Sequence, residues 1–244
     1  MSGHSHARTI RHQKTLTDQK RGQIFSKLAR LIFIAAREGG ANPETNPKLR
    51  VAIETARSYN LPKENIENTI KRATGEIPGE KFEEVMYEAY GPGGIALIIE
   101  GITDNKNRAL AEVKQILNQY NGKLVGEGAV KWMFERKGCV TVNIKNQIPS
   151  IKSKEDLEIL AIEAGAEDIY WHNDELDIYT EGENLERVKK NLEEKGVKIE
   201  WVGLDWKPKE MIDLKEKGKE SCQKLFEALD ELDIVQEIYS NLKV

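Results

Sequence analysis

Only two cysteines, Cys139 and Cys222, occur in 244 residues, too few for a disulfide framework or an all-cysteine zinc site. Such sparse use fits a reducing compartment. Long apolar runs are missing too. The longest candidate, residues 95–102, is broken by Glu100 and Gly101 and falls far short of the ~20 residues a membrane span needs, so no membrane association is expected. The N-terminus has no apolar core region, which excludes a secretory signal. Catalytic signatures are equally scarce: there is no phosphate loop ending in Lys-Ser/Thr, no G-x-S-x-G elbow and no H-E-x-x-H pair. Gly91-x-Gly93-x-x-Ala96 has the spacing of a dinucleotide-binding turn. That fingerprint must open a helix, whereas a β-prone run follows here, so the glycines read as a turn. His4-x-His6 with His12 has no carboxylate or cysteine at ligand spacing nearby. Neither cofactor nor metal is expected, and nothing points to an enzyme.

What is present is charge, unevenly placed. The formal net charge is −4, yet residues 1–78 carry +7 and the remainder −11. In the first thirty residues Arg8, Arg11, Lys14, Lys20, Arg21, Lys27 and Arg30 face only Asp18, and His4 and His12 lie among them. A basic arm on an acidic body points to a polyanionic partner held by one end of the molecule. It excludes a protein that coats nucleic acid with its whole surface.

Hydrophobic periodicity divides the chain. Residues 21–38 read as a helix, with Ile24, Leu28, Leu31, Ile32 and Ala35 at helical spacing and Gly39-Gly40 as the stop. At 100° per residue, Lys27, Arg30 and Arg37 fall on a stripe ~130° from that apolar face. Asn46-Pro47 reads as N-cap and first residue of a second helix. Pro62 opens a third, with Gly75 just past its end; Lys63, Asn65, Asn68, Lys71 and Arg72 are its polar candidates for nucleic acid. From Val85 the period changes to that of strands: 85–90, 95–103, then a helix at 105–120 and a strand near 129–135. Residues 139–144, 154–164, 168–171, 176–180, 185–195 and 198–202 read strand, helix, strand, strand, helix, strand, the ferredoxin-like order, with a polar turn at Asn173-Asp174-Glu175. A last helix (218–231) and strand (234–239) are stranded in sequence unless they return to the 85–135 segment.

The expected fold class is therefore α+β and multidomain. Residues 1–78 form a basic arm and helical domain, residues 79–135 plus 204–244 a discontinuous α/β domain, and residues 136–203 an inserted ferredoxin-like βαββαβ domain. The junction Asp104-Asn105-Lys106-Asn107-Arg108 has two readings: a helix cap, or a helix N-terminus that meets phosphate or RNA.

The segments GHSHARTIRHQK, AAREGG-x-NP, NPKLRVAIETA, LPKENIENTIKRATG, YEAYGPGG, TDNKNRA and WMFERKG follow one another in order. Further matches come at Ala164–Asp168, Trp206-Lys207-Pro208 and residues 233–241. Together they resemble the YebC/PmpR family across nearly the whole chain. The resemblance implies three domains, with the third inserted in the second, and no enzymatic activity. It also implies a nucleic-acid partner: DNA for a transcriptional regulator, or ribosomal RNA for a ribosome-associated factor that helps translation through proline-rich stretches. The family usually has Lys-Trp after Gly-His-Ser, where this chain has His6-Ala7, so an aromatic that could stack on a base is missing. Because the chain opens at the family motif, a bacterial cytoplasmic protein is expected. The candidate nucleic-acid contacts are His4, Arg8, Arg11, His12, Lys14, Lys20, Arg21, Lys27, Arg30, Lys71 and Arg72.

Overall fold

The computed structural model describes residues 18–149, 151 and 153–243. In chain order its main elements are α1 (Asp18–Gly39), α2 (Pro47–Ser58), α3 (Lys63–Ala73), β1 (Glu83–Tyr90), β2 (Ala96–Thr103), α4 (Lys106–Gln119), β3 (Lys123–Val125) and β4 (Phe134–Asn143). Then follow α5 (Lys154–Ala164), β5 (Asp168–His172), β6 (Glu175–Thr180), α6 (Leu185–Glu194), β7 (Trp201–Pro208), β8 (Ile212–Asp213), α7 (Glu216–Asp230), β9 (Val235–Ser240) and β10 (Leu242–Lys243).

Leu28, Ile32, Ala35 and Ala36 of α1 bury themselves against Leu49, Ile53 and Ala56 of α2 and Ile66 of α3. Asn46 joins α1 to α2. Its amide donates to the carbonyls of Ala35 (2.7 Å) and Gly40 (2.9 Å), and its oxygen accepts the Leu49 N–H (3.1 Å). One side chain thus ends one helix and caps the next, satisfying orphan groups of both. The approach is close enough to require glycine at 39, where a Cβ would stand 2.6 Å from the Asn46 side chain. Gly75 ends α3 at φ +80°, a conformation glycine adopts without a Cβ penalty.

Sheet one has the strand order β3-β1-β2-β9, every pairing antiparallel. The C-terminal strand β9 returns to pair with β2, matching Leu97 to Ser240. On one face, Leu97, Ile99, Val113, Leu117, Leu225, Phe226 and Ile238 make a core with α4 and α7. β2 is apolar almost throughout because it is covered on both faces: Ala96 and Ile98 pack opposite, against Phe134, Trp206 and Tyr239.

Sheet two has the order β5-β6-β4-β7, also antiparallel. Val140, Val142, Leu176 and Ile178 alternate inward beneath Leu157 and Ala161 of α5 and Val188 and Leu192 of α6. β4 and β7 pair from Phe134–Pro208 to Thr141–Trp201 without a break, so their lower ends reach the far face of sheet one. Two expected strands, 129–135 and 139–144, are thereby corrected to one. The N–H groups of Gly128, Val130 and Lys131 all go to the Glu88 carboxylate, which removes them from any ladder. The strand expected at 198–202 lies instead at Trp201–Pro208, since the Lys198 N–H is taken by the Gln147 side chain.

α1 meets the rest of the chain on its second face. Phe33 and Ile34 pack with Phe82 and Ile102, the two phenyl rings edge to face at 5.2 Å. Being covered on two sides explains why residues 31–36 of a helix carry no polar side chain.

Candidate nucleic-acid interface

The basic stripe of α1 meets a helix end. α7 finishes at Asp230, leaving terminal carbonyls without intrahelical donors. Lys27 Nζ lies 2.8 Å from Asp230 Oδ1 and donates to the Asp230 carbonyl at 2.5 Å. Gln23 donates to the Glu231 carbonyl at 3.1 Å, and Arg30 Nη1 donates to the carbonyl of Asp233. Lys27 is only 5% exposed. The Arg30 guanidinium sits 5.5 Å from the centre of the Phe82 ring. Burial lowers the Arg30 pKa, while Asp233, Asp104 and Glu80 pull it back up. Arg37 donates to the Phe82 carbonyl. Cations placed at the negative end of a helix such as α7 are favourable, and Lys27 and Arg30 are positioned there. Their charged ends close a seam between α1 and the segment that ends α7.

The remaining candidates fall into three groups. His4, Arg8, Arg11, His12 and Lys14 lie outside the described residues. Lys20 and Arg21 belong to the first turn of α1, where Arg21 is exposed. Lys71 and Arg72 occupy the last turn of α3, Lys71 exposed and Arg72 half-buried. Arg72 Nη2 donates to Thr69 Oγ1 at 3.1 Å, which steadies the guanidinium against its own helix.

At the polar junction the cap geometry is complete. Asn105 Oδ1 accepts the N–H groups of Asn107 and Arg108, both at 3.1 Å, and Thr103 Oγ1 accepts the Asn105 N–H at 3.0 Å. Lys106 pairs with Glu83 at 2.7 Å, and Arg108 pairs with Asp104 and, at 3.8 Å, with Glu112. The hydrogen bond from Lys106 holds the Glu83 carboxyl below its ordinary range. With the first N–H groups accepted and both cations beside carboxylates, a phosphate here would have to displace existing partners. Of the two readings, the geometry supports the cap.

Sequence reasoning missed Glu88. It is buried on the face of sheet one turned away from α4 and α7, and accepts from Gly128 (2.6 Å), Val130 (2.7 Å) and Lys131 (2.9 Å). Burial raises its pKa, but the three N–H groups outweigh that and hold it below the ordinary value. The loop so fixed presents Trp132, 64% exposed, with its indole N–H on the Ala129 carbonyl at 3.0 Å. Beside it Glu100 accepts from Trp206 (2.7 Å) and Tyr239 (3.3 Å) and forms an ion pair with Arg136 at 3.1 Å. A glutamate in a strand carries no sequence signal for such a role; only the fold brings the loop to it.

Two features bear on catalysis. Cys139, Asp177 and Asp205 bring ligand-type atoms within 4.8 Å of one another. Thr141 donates to Asp177 at 2.5 Å and Tyr179 to Asp205 at 3.3 Å, so these carboxylates have hydrogen-bond donors of their own. Burial pushes the Cys222 thiol up to about 11, far from a reactive thiolate at neutral pH. Among the described residues no helix is long and apolar enough to cross a membrane.

A helical part whose cations meet the end of α7, together with two four-stranded antiparallel sheets and a short parallel pair of strands, makes the molecule a mixed α/β protein. Residues 5–76 match the model of the TACO1/YebC protein N-terminal domain, and residues 82–242 match that of the TACO1/YebC second and third domain. The chain belongs to the TACO1/YebC family. A protein of Pseudothermotoga lettingae named "Probable transcriptional regulatory protein" is 46% identical over 244 residues, covering 100% of this chain and 94% of its own. One of the same name from Dictyoglomus turgidum is 45% identical, covering 100% and 96%. The crystal structure of a conserved hypothetical protein from Aquifex aeolicus matches with a TM-score of 0.84 at 45% identity, covering 96% of this chain and 95% of that one.

Proposed function

We propose that this chain is a non-enzymatic regulator of gene expression, working in the cytoplasm and holding nucleic acid through its N-terminal arm and helical domain. On this reading it has three units: residues 1–78, residues 79–135 with 204–244, and an inserted ferredoxin-like unit at 136–203. The observation that carries the proposal is the charge division. The +7 of residues 1–78 includes Arg21, Arg50, Arg57 and Lys71 on exposed helical surface, against −11 for the remainder. The names of the bacterial relatives support a DNA-binding transcriptional regulator of the YebC type. A second reading, a ribosome-associated factor that contacts ribosomal RNA and relieves stalling at proline-rich stretches, is favoured by the acidic body. Phosphate repels such a surface, which suits insertion of one basic end into an RNA site better than lying along a duplex.

Co-sedimentation with ribosomes beside promoter-fragment binding at matched salt separates the two. Sequence-specific duplex binding without ribosome association is the outcome of the transcription reading. Ribosome association lost on deleting residues 1–20, with no specific duplex binding, sinks it. If Arg8, Arg11, Lys14, Lys20 and Arg21 touch duplex phosphates, replacing all five with Ala shrinks the log–log salt slope by about 4 to 5. An unchanged slope removes the arm from the interface.

A further inference from the structure

α1 and α3 do not close fully along their seam. A groove of about 570 Å³ opens between them, with Gly22, Phe25 and Ser26 on one wall and Asn65, Asn68 and Arg72 on the other. The room comes from the sequence of α1: Gly22 and Ser26 stand one turn apart, and a Cβ at Gly22 would meet nothing within 4 Å. Opposite, Asn65, Asn68 and Arg72 fall at spacings of three and four on one face of α3. Behind them Thr69, 2% exposed, donates to the Asn65 carbonyl at 2.7 Å and accepts from Arg72 at 3.1 Å. The guanidinium is thereby aimed by a buried hydroxyl. Among the described residues lining the groove there is no carboxylate, in a chain that carries 41 of them.

We infer that this groove receives one unpaired nucleotide of a single-stranded nucleic acid. The inference rests on the nucleic-acid reading above and deepens it. Each carboxamide offers two N–H donors and an acceptor oxygen, the complement of a base edge. Phe25 supplies an apolar wall for the base, and Arg72 a planar cation suited to phosphate. The volume lies within the range of about 300–1,000 Å³ usual for small-molecule sites. A concave cleft takes a base that has left its stack, whereas reading a duplex groove needs a protein element that projects. Lys63 and Lys71, on the same helix, are not among the lining residues and serve at most as neighbouring charge.

The test is fluorescence anisotropy at low salt with a labelled RNA of about eight nucleotides, a usual single-strand site size, beside its duplex form. Two variants block the groove differently. Gly22→Leu fills it with a residue that favours helix more than glycine does, so folding is kept. Ser26→Glu places a carboxylate in it. The unaltered protein is expected to prefer the single strand, and each variant to bind it about 10-fold more weakly, the scale of losing one stacked, paired base. Variants binding within about 2-fold of the unaltered protein overturn the groove while leaving the nucleic-acid reading intact. Equal, equally variant-sensitive binding of the duplex overturns the unpaired nucleotide. An unaltered protein that binds neither probe overturns the groove, while the nucleic-acid reading stands or falls separately on ribosome co-sedimentation and promoter-fragment binding.

Discussion

α1 and α3 are both basic helices, and they use their cations in opposite ways. On α1, Lys27 and Arg30 point into the molecule, where the carbonyl and carboxylate of Asp230 at the end of α7 receive Lys27 and the Asp233 carbonyl just beyond it receives Arg30. On α3, Lys71 and Arg72 sit in the final turn, where they favour the helix's own negative end and leave Lys71 facing outward. A surplus of positive charge is thus two things at once: part of it is mortar between the helical part and the acidic body, and part is surface. Counting residues cannot separate the two. What separates them is whether an unsatisfied carbonyl or carboxylate stands within reach once the chain has folded.

The sharpest way to break this comparison is Lys27→Ala. Removing one partner of a pair in which Lys27 is 6% and Asp230 17% exposed strands a partly buried carboxylate and a helix-end carbonyl. The expected loss is about 3 kcal/mol, the scale of breaking a buried ion pair. At this chain length that lowers the melting temperature by roughly 6–12 °C. Urea unfolding measures the loss, and nucleic-acid affinity of the folded protein is expected to stay unchanged. Unaltered stability with weakened binding would return Lys27 to the interface.

Glu88→Gln asks whether the body holds its own charges in the same inward fashion. Three backbone donors converge on this carboxylate, and an amide of the same shape can accept fewer of them. The expected cost is about 2 kcal/mol at neutral pH. The folded pKa is depressed, so the carboxylate's contribution is fully present above the unfolded value of about 4.3 and is lost as pH falls through the lower folded value. The gap between wild type and Glu88→Gln therefore closes on acidification. A gap that stays constant from neutral pH to below the carboxylate range contradicts the role given to the charge.

Much of this architecture was legible because local chemistry and fold agree. Asn46-Pro47 has the N-cap and first-residue preferences of a helix start, and Asn173-Asp174 turns the β5–β6 hairpin with Asn173 at φ 57°, which asparagine tolerates. The continuous β-prone run of β2 was readable as a strand, whereas its cover on both faces shows only in the fold. What failed were the places where a distant side chain captured the backbone: Glu88 took the N–H groups of 128, 130 and 131, and Gln147 took that of Lys198. A helical wheel placed Lys27 and Arg30 correctly on one stripe but could not see α7 arriving from two hundred residues away. The cap at Asn105 was readable as one of two options, and the ion pairs of Lys106 and Arg108 with Glu83 and Asp104 favour it.

Lys71→Ala is the smallest effect and the counterpart to Lys27→Ala. The ammonium is exposed and its helix keeps Arg72 in the same turn, so stability should move by no more than about 0.5 kcal/mol. If α3 lies against phosphate, the log–log slope of affinity against salt falls by about 1 as one contact is removed. The affinity loss should be uniform across probe sequences, because a lysine on phosphate fixes position without reading a base. Opposite responses from two lysines on neighbouring helices, one lost in stability and one in salt dependence, are what a division between mortar and surface requires. A Lys71→Ala protein with the salt slope of the unaltered chain puts the outward face of α3 away from the ligand, leaving its inward, groove-lining face as the only part of that helix still able to meet it.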